Sequence, residues 1–154
     1  LGALAKFIWP LNVKGFGGRF TVTPDRLPKK GEDPVKIVEA KAWVANLEPD
    51  EGTAGIATGG APGGLLAMYQ KCVHLGCTVP WLKDFDFQGQ KGWFRCPCHQ
   101  STYTKAGIRV FGPAPRHLDT FEISLDSSGR LTINTGKITL GAEDNPSRAI
   151  PYNG

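Results

Sequence analysis

The fold of this chain is decided by Cys72-Val73-His74-Leu75-Gly76-Cys77 and Cys96-Pro97-Cys98-His99-Gln100-Ser101. These two stretches contain all four cysteines of the chain and two of its three histidines. Thiolate and imidazole groups are common metal ligands, so each stretch offers both ligand types to one shared site. Gly76 supplies a turn and Pro97 prevents regular strand geometry. The pattern therefore predicts a metal site built from two loops at strand ends.

Six side chains are candidates for the four ligand positions of such a site. A structural zinc site takes Cys₂His₂ or Cys₄ from this set, although ordinary zinc pairs use C-x₂₋₄-C and not C-x-C-H. A plant-type iron–sulfur cluster needs C-x₄-C-x₂-C, and no cysteine follows Cys77 at that spacing. The remaining arrangement is a two-iron cluster that is held by one pair of thiolates and one pair of imidazoles.

The two stretches closely resemble the cluster-binding boxes of the Rieske iron–sulfur proteins of cytochrome bc-type complexes. Those boxes usually read C-T-H-L-G-C and C-P-C-H-G-S. Val73 and Gln100 stand where the family usually has threonine and glycine, and neither position is a ligand. The resemblance implies an all-β fold, with antiparallel sheets of the Rieske type and a small, loop-built cluster-binding subdomain.

The resemblance also implies one [2Fe-2S] cluster as cofactor. Cys72 and Cys96 would bind one iron, and His74 and His99 would bind the other. Neutral imidazoles in place of two thiolates remove negative charge, which places the potentials of such clusters at about −150 to +300 mV. The same two histidines would contact quinol and take up its proton, because reduction of the iron favours a proton on a coordinated imidazole.

Three further features carry roles that the resemblance implies. Cys77 and Cys98 would form a disulfide that ties the two loops together. Ser101 and Tyr103 would donate hydroxyl hydrogen bonds to sulfur atoms of the cluster and raise its potential. The proline-rich stretch Gly112-Pro113-Ala114-Pro115 would shield the cluster from a third side.

In this family the cluster takes an electron from quinol beside a cytochrome b subunit and passes it to a c-type cytochrome. The resemblance therefore implies the electron-transfer subunit of a quinol–cytochrome c oxidoreductase, anchored in a membrane. A disulfide persists outside the reducing cytosol, so the head is expected on the periplasmic side.

Several alternatives remain open at this stage. The small subunit of arsenite oxidase has a similar pattern that includes the disulfide, whereas Rieske ferredoxins generally lack the second cysteine pair. Outside the iron–sulfur proteins, a structural zinc module and a metal-free thiol–disulfide oxidoreductase that uses Cys77 and Cys98 are the alternatives. Visible and paramagnetic-resonance spectra with a metal count separate these classes.

The composition of the chain also limits the classes of protein to which it can belong. The chain has 154 residues with 40% hydrophobic residues, which predicts one domain with a sizeable core. Its net charge of +4 comes from scattered residues, so we expect no nucleic-acid partner. The sequence contains no apolar run of about 18 residues, which excludes a transmembrane bundle.

The N-terminal residues are distinct from the rest of the chain. Residues 1–9 are apolar but too short to span a bilayer, so they are either the end of a membrane helix or a docked terminal segment. Glycines at 15, 17 and 18 predict a flexible tether. We accordingly expect an anchor end and tether at 1–18, a Rieske domain at 19–154, and a cluster-binding subdomain at about 71–116.

Short strands are predicted for most of the domain. A strand at 19–23 is expected to stop at Pro24, and apolar strands at 65–70 and 92–95 lead into the two cysteine-containing stretches. Alternating apolar residues at 121–125 and again at 131–133 predict a hairpin around the turn at 126–129.

The remaining glycine-rich, aromatic and charged residues suggest structural roles. The glycine-rich residues 52–64 lack a phosphate-binding pattern and predict a turning loop. His117, Lys105 and Arg109 are expected at the surface. The aromatic residues expected to pack beneath the two loops are Trp81, Phe85, Phe87, Trp93 and Phe94.

Overall fold

The computed structural model describes residues 17–52, 63–142 and 149–152. Within these ranges the chain forms ten strands and one short 3-10 helix (Pro24–Arg26), without an α-helix. All strand pairs are antiparallel, which confirms the predicted all-β fold class. The strands are β1 (Arg19–Val22), β2 (Val35–Ile37), β3 (Ala42–Leu47), β4 (Gly64–Tyr69), β5 (Trp81–Phe87), β6 (Gln90–Arg95), β7 (Thr102–Tyr103), β8 (Arg109–Phe111), β9 (Thr120–Leu125) and β10 (Leu131–Thr139).

Six strands form the larger sheet, in the order β1-β10-β9-β4-β3-β2. Its β9–β10 hairpin is confirmed, with Leu125 opposite Leu131 and Ile123 opposite Ile133. The turn is closed by the Asp126 carboxylate, which accepts hydrogen bonds from the backbone N–H groups that follow it. Alternation along this hairpin places its apolar side chains toward the core, as the period of a strand requires.

The smaller sheet consists of four strands in the order β5-β6-β7-β8. It covers residues 81–111 and therefore lies inside the range 71–116 that the sequence predicts for the cluster-binding subdomain. One cysteine-containing loop lies between β4 of the larger sheet and β5 of the smaller sheet, and the other connects β6 to β7. The subdomain boundaries themselves stay a prediction.

Strand β4 lies between two hydrophobic cores. Leu65 and Ala67 belong to the core of the larger sheet, whereas Leu66 and Met68 belong to the core that joins the two sheets. All four side chains are buried, because successive residues of a strand point to opposite faces and both faces are covered. This explains why β4 appears in the sequence as a continuous apolar run.

The core between the sheets supports the cysteine-containing loops. Phe94 is fully buried and packs edge-on against Trp81 at 4.9 Å and Trp43 at 5.5 Å between ring centroids. Cys72 and Cys96 belong to the same buried cluster as Phe94. The predicted packing of Trp81 and Phe94 beneath the loops is therefore confirmed.

Two predicted segments fall mainly outside the described residues. These are the anchor and tether at 1–18, of which only 17–18 are described, and the glycine-rich stretch at 52–64, of which 53–62 are not. Among the residues that the structure describes, no helix has the length and apolar character to cross a bilayer.

Candidate metal centre

Residues 72–77, the first loop, are closed by their own backbone. The Cys72 N–H donates to the Cys77 carbonyl at 2.8 Å, and the Gly76 N–H donates to the Cys72 carbonyl at the same distance. Gly76 has a φ of +78°, a left-handed conformation that costs glycine little and other residues more. The turn that the sequence predicts at Gly76 is therefore confirmed.

Residues 96–101, the second loop, repeat this backbone pattern. The Cys96 N–H donates to the Ser101 carbonyl at 2.9 Å, and the Gln100 N–H donates to the Cys96 carbonyl at 2.9 Å. The fifth residue is again left-handed, with a φ of +65°, but it is Gln100 and not glycine. Two loops of six residues thus have the same hydrogen-bond scheme with different side chains at the critical position.

The disulfide Cys77–Cys98 joins the two loops and confirms the predicted pairing. The Cys96 sulfur lies close to this bond, since the sulfur atoms of Cys77, Cys96 and Cys98 are all within 4.8 Å of one another. Two of these three sulfurs are already bonded to each other, so this trio is not a set of thiolate ligands. The free thiols are Cys72 and Cys96.

Both free thiols are buried, with 3% of Cys72 and 2% of Cys96 exposed. Burial raises the pKa of the Cys96 thiol above its ordinary value, and the neighbouring Cys72 adds in the same direction. The backbone N–H groups of Cys98 and His99 hydrogen-bond to the Cys96 sulfur and oppose this shift. Such donors stabilise negative charge on sulfur, so the pocket suits a thiolate whose charge is shared with a metal.

The two loop histidines lie on the outer side of the thiols. The imidazole rings of His74 and His99 are 4.9 Å apart between centroids and nearly perpendicular. His74 is half-buried and His99 is exposed. Each of the two loops therefore carries one buried thiol and one more exposed imidazole, which are the two ligand types that the predicted [2Fe-2S] cluster needs.

Tyr103 lies beneath the first loop, and its hydroxyl oxygen is 3.2 Å from the Cys72 sulfur. The side chain is fully buried. Burial raises the pKa of the Tyr103 hydroxyl far above its usual range, and the contact with Cys72 adds to the shift. The hydroxyl therefore keeps its proton at physiological pH and is available as a donor to sulfur.

Residues 112–115, the third loop, are attached to the second loop through Ser101. The buried Ser101 hydroxyl accepts a hydrogen bond from the Ala114 N–H at 3.1 Å. Gly112 has a φ of +96°, and a Cβ there would lie 2.8 Å from the Ser101 backbone nitrogen and closer still to its Cα. Only glycine permits this approach. The structure thus places the predicted shielding stretch directly against the second loop.

Three residues that the sequence places at the surface have other surroundings. His117 is buried, and its Nδ1 accepts a hydrogen bond from the Arg109 N–H at 3.0 Å. The Arg109 guanidinium donates to the Gly112 carbonyl at 3.2 Å, so it supports the third loop. Lys105 is largely buried and forms an ion pair with Glu51 at 2.6 Å. These expectations were wrong because each partner is distant in sequence or lies on a loop whose path the sequence does not give.

A groove of about 800 Å³ lies apart from the two loops. Neither the first nor the second loop contributes a residue to it. The residues that line it include Asp50, Glu51, Trp81, Lys83, Lys91, Trp93, Lys105 and Arg109. None of the residues that line it is a cysteine or a histidine, so the groove offers neither ligand type of the predicted cluster.

Sequence reasoning overlooked Arg95, the residue before the second loop. Its guanidinium donates to the Gln100 side-chain oxygen at 2.7 Å and lies 4.3 Å from the centre of the Phe85 ring. The departure of Gln100 from the usual glycine was the signal that could have directed attention to a compensating contact.

Comparisons of the chain with known proteins agree on one family. A family model described as the Rieske [2Fe-2S] domain matches residues 22–122. The chain is 33% identical over 155 residues to the cytochrome b6-f complex iron-sulfur subunit of Prochlorococcus marinus strain MIT 9215, covering 95% of this chain and 82% of that protein.

Two further relatives are longer than the chain. It is 33% identical to the menaquinol:cytochrome c reductase iron-sulfur subunit of Geobacillus thermodenitrificans, covering 74% of this chain and 59% of that protein. It is 30% identical to the chloroplastic cytochrome b6-f complex iron-sulfur subunit of Volvox carteri, covering 88% and 63%. The match therefore spans about three fifths of the length of each of these relatives.

A similar solved structure is the plasma membrane Rieske protein of the cyanobacterium Synechocystis PCC 6803. The two chains are 22% identical and superpose with a TM-score of 0.42, covering 65% of this chain and 82% of the other.

Proposed function

This chain belongs to the Rieske [2Fe-2S] domain family, and we propose from that premise that it is the electron-transfer head of a quinol-oxidising, cytochrome bc-type complex. Its cofactor is one [2Fe-2S] cluster. When bound, the cluster exchanges single electrons at a higher potential than an all-thiolate cluster. The relatives from Prochlorococcus and Geobacillus, named as iron-sulfur subunits of such complexes, support this proposal.

Cys72 and Cys96 hold one iron in this proposal, and His74 and His99 hold the other. The main observation in favour of this proposal is that the four cysteines fall into two pairs of different kinds. Two are free, buried thiols, and the other two are consumed in a disulfide beside them. An imidazole pair 4.9 Å apart completes four donors of two types. This division does not suit a zinc site of four thiolates, and the metal count described below separates the cluster from a zinc site of two thiolates and two imidazoles.

His74 and His99 also contact quinol in the proposed reaction. His99 is exposed and His74 is half-buried, and the neighbouring apolar Leu75 is 70% exposed. An imidazole that binds metal through one ring nitrogen keeps the other available for a hydrogen bond from a quinol hydroxyl. It would accept one proton from the quinol as a base, and the oxidised cluster would supply the acceptor for one electron of the quinol.

Residues of the inner shell support this chemistry. The Tyr103 hydroxyl, 3.2 Å from the Cys72 sulfur, would donate its proton to that sulfur, and the Ser101 hydroxyl, which accepts from the Ala114 N–H, would donate its own proton to a sulfur atom of the cluster. Donors to sulfur stabilise the added electron and raise the potential. The third loop, Gly112 to Pro115, excludes water from this side through its contact with Ser101.

The proposal includes a location and partners. A surface disulfide is stable where thiols are not kept reduced, and this supports our proposal that the head lies on the periplasmic side of a membrane. The partners are quinol, a cytochrome b subunit and, as electron acceptor, a c-type cytochrome. The N-terminal part at 1–18 would be the end of the anchor and the tether of the domain at 19–154.

The first experiment tests the cluster and its ligands. The chain is purified after expression with iron supply, and iron, zinc and labile sulfide are counted per chain. We expect two irons, two sulfides, a red-brown colour and a paramagnetic signal on reduction. A colourless chain with one zinc, or a metal-free chain that cycles Cys77–Cys98 with a dithiol, contradicts the proposal.

The second experiment tests quinol oxidation against the arsenite oxidase and ferredoxin alternatives. The midpoint potential of the cluster is measured between about pH 6 and pH 10. It should fall as pH rises, because the oxidised form releases the imidazole proton before the reduced form does. The membrane complex that contains this chain should also oxidise a quinol and reduce a c-type cytochrome. A constant potential, or a complex that instead oxidises arsenite, excludes this part of the proposal.

A further inference from the structure

The left-handed conformation of Gln100 has no explanation in the residue itself. For a residue other than glycine, asparagine or aspartate, a φ near +65° is unfavourable. The first loop solves the same geometric problem with Gly76, around which an added Cβ would meet nothing within 4 Å. The second loop therefore needs a stabilising contact that the first loop does not need.

Arg95 supplies that contact. Its guanidinium donates to the Gln100 side-chain oxygen at 2.7 Å, so the residue before the second loop is bonded to the fifth residue of that loop. The same guanidinium stacks on Phe85 at 4.3 Å, which restricts its position. The Gln100 carbonyl is held as well, because the Thr102 hydroxyl donates to it at 3.0 Å. Glycine at position 100 would have no side chain to receive the bond from Arg95.

The two tied residues flank the proposed ligands. Arg95 directly precedes Cys96, and Gln100 directly follows His99. Their side-chain bond closes a ring around the segment that carries both ligands. Since His99 itself is exposed, few neighbours fix its ring from the solvent side.

We propose that Arg95 and Gln100, with Phe85 as the support of the guanidinium, form a positioning clamp that sets the orientation of His99 toward its iron. The clamp rests on the proposed function, because it acts on a proposed ligand. In the first loop the fifth residue is Gly76, which adopts a positive φ at little cost. In the second loop the clamp stabilises the same conformation of Gln100. Arg95 and Gln100 are positioning residues, and neither touches the reacting atoms.

The experiment uses the cluster-loaded chain and five variants. Gln100→Ala keeps the demand for a positive φ but removes the acceptor, and Arg95→Met removes the donor and the charge while it keeps a side chain that can cover Phe85. The third variant combines both substitutions. Gln100→Gly restores the backbone freedom without the clamp. Lys91→Met is the matched control, because it removes one exposed positive charge from the same strand, β6.

Three quantities are measured: the g-values of the reduced cluster, the midpoint potential, and the half-life of the cluster in the presence of an iron chelator. We expect Gln100→Ala and Arg95→Met each to shift the g-values and to shorten the half-life about two- to tenfold, the range of one net hydrogen bond. The double variant should lose no more than the worse single variant, because both changes remove the same bond. Gln100→Gly should recover most of the half-life, and Lys91→Met should match the original chain.

Each other outcome contradicts the clamp. Unchanged g-values in both single variants, losses that add in the double variant, or an equal effect of Lys91→Met would show that the contact has no positioning role. A shift of the potential without any change in the g-values would show that Arg95 acts through its charge alone. The original chain distinguishes this failure from failure of the proposed function, because a chain that binds no two-iron cluster overturns both.

Discussion

The first loop (72–77) and the second loop (96–101) have the same backbone hydrogen bonds, yet they are stabilised in different ways. The first loop reaches its left-handed fifth residue with Gly76 and carries Leu75, 70% exposed, at its tip. The second loop reaches the same conformation with Gln100, which Arg95 holds from outside. It is also attached to the third loop through Ser101. The first loop therefore depends on the conformational freedom of glycine, whereas the second loop depends on contacts with other side chains.

The same loop geometry thus has a local cause in the first loop and a non-local cause in the second. The residues before the two loops differ in the same way. Lys71 precedes the first loop and donates to Thr78, just beyond that loop, at 3.2 Å. Arg95 occupies the corresponding place before the second loop but reaches into the loop itself. A loop that is stabilised by neighbours can accept a residue that an isolated turn would disfavour.

The largest expected effect comes from separating the two loops. The double substitution Cys77→Ser with Cys98→Ser removes a bond that closes a segment of 21 residues. We expect the cluster-free chain to lose about 3 kcal/mol of unfolding free energy, because the unfolded chain regains the entropy of that loop. Urea denaturation measures this loss. A reductant should reproduce it in the original chain and have no effect on the double variant; a double variant as stable as the oxidised chain contradicts the prediction.

Tyr103→Phe tests the inner support of the first loop. The substitution removes the hydroxyl that lies 3.2 Å from the Cys72 sulfur. A hydrogen bond to a charged sulfur contributes about 1.5–3 kcal/mol, so the midpoint potential should fall by roughly 60–130 mV. Voltammetry measures the change. Tyr152→Phe is the control, since Tyr152 packs against the other hydrophobic core, and equal potentials for both variants exclude the assigned role of Tyr103.

Ser101→Ala tests the hydrogen bond between the second loop and the third loop. Without the Ser101 hydroxyl, the buried Ala114 N–H loses its acceptor, which costs about 1–3 kcal/mol of stability. Urea denaturation of the cluster-free chain should show this loss. The exposed Ser124 on β9 provides the control, because Ser124→Ala leaves the loops unchanged. Equal stability of the two variants would mean that the third loop is held elsewhere.

Gly76→Ala tests the dependence of the first loop on glycine, and its effect should be the smallest. The cost is about 1–2 kcal/mol, because alanine is strained at a φ of +78° although no neighbour lies near its Cβ. Gly89→Ala is closely matched, since Gly89 in the turn between β5 and β6 has the same φ and the same open surroundings. Both variants should lose similar unfolding free energy, but only Gly76→Ala should accelerate loss of the cluster. Equal rates of cluster loss would contradict the role of the first loop.

Much of the site was predictable from the sequence. The strands that lead into the loops, the β9–β10 hairpin and the turn at Gly76 depend on local patterns, and all three are confirmed. The disulfide Cys77–Cys98 followed from the family resemblance and is confirmed too. The ligand roles of the other two cysteines and of the histidines stay predictions that the buried thiols and paired imidazoles support.

Other features needed the tertiary structure. The sequence predicts Arg109 and His117 at the surface, but the two residues are hydrogen-bonded to each other, and Arg109 also supports the third loop. Lys105 meets Glu51 across 54 positions of the chain, so no local pattern could indicate the pair. The contact between Arg95 and Gln100 is close in sequence, yet it exists only because the loop turns back on itself.

The sequence by itself determined which chemical groups this chain offers: two thiols, two imidazoles, a pair of cysteines for a bridge, and strands to carry them. These properties depend on residue type and on spacing along the chain, where the physical causes are local. Only the tertiary structure decided that the thiols are buried while the imidazoles lie outside, and that Gln100 adopts the conformation of a glycine. Burial and the clamp depend on residues that the packing of the two sheets brings together, and this packing cannot be predicted from spacing along the chain.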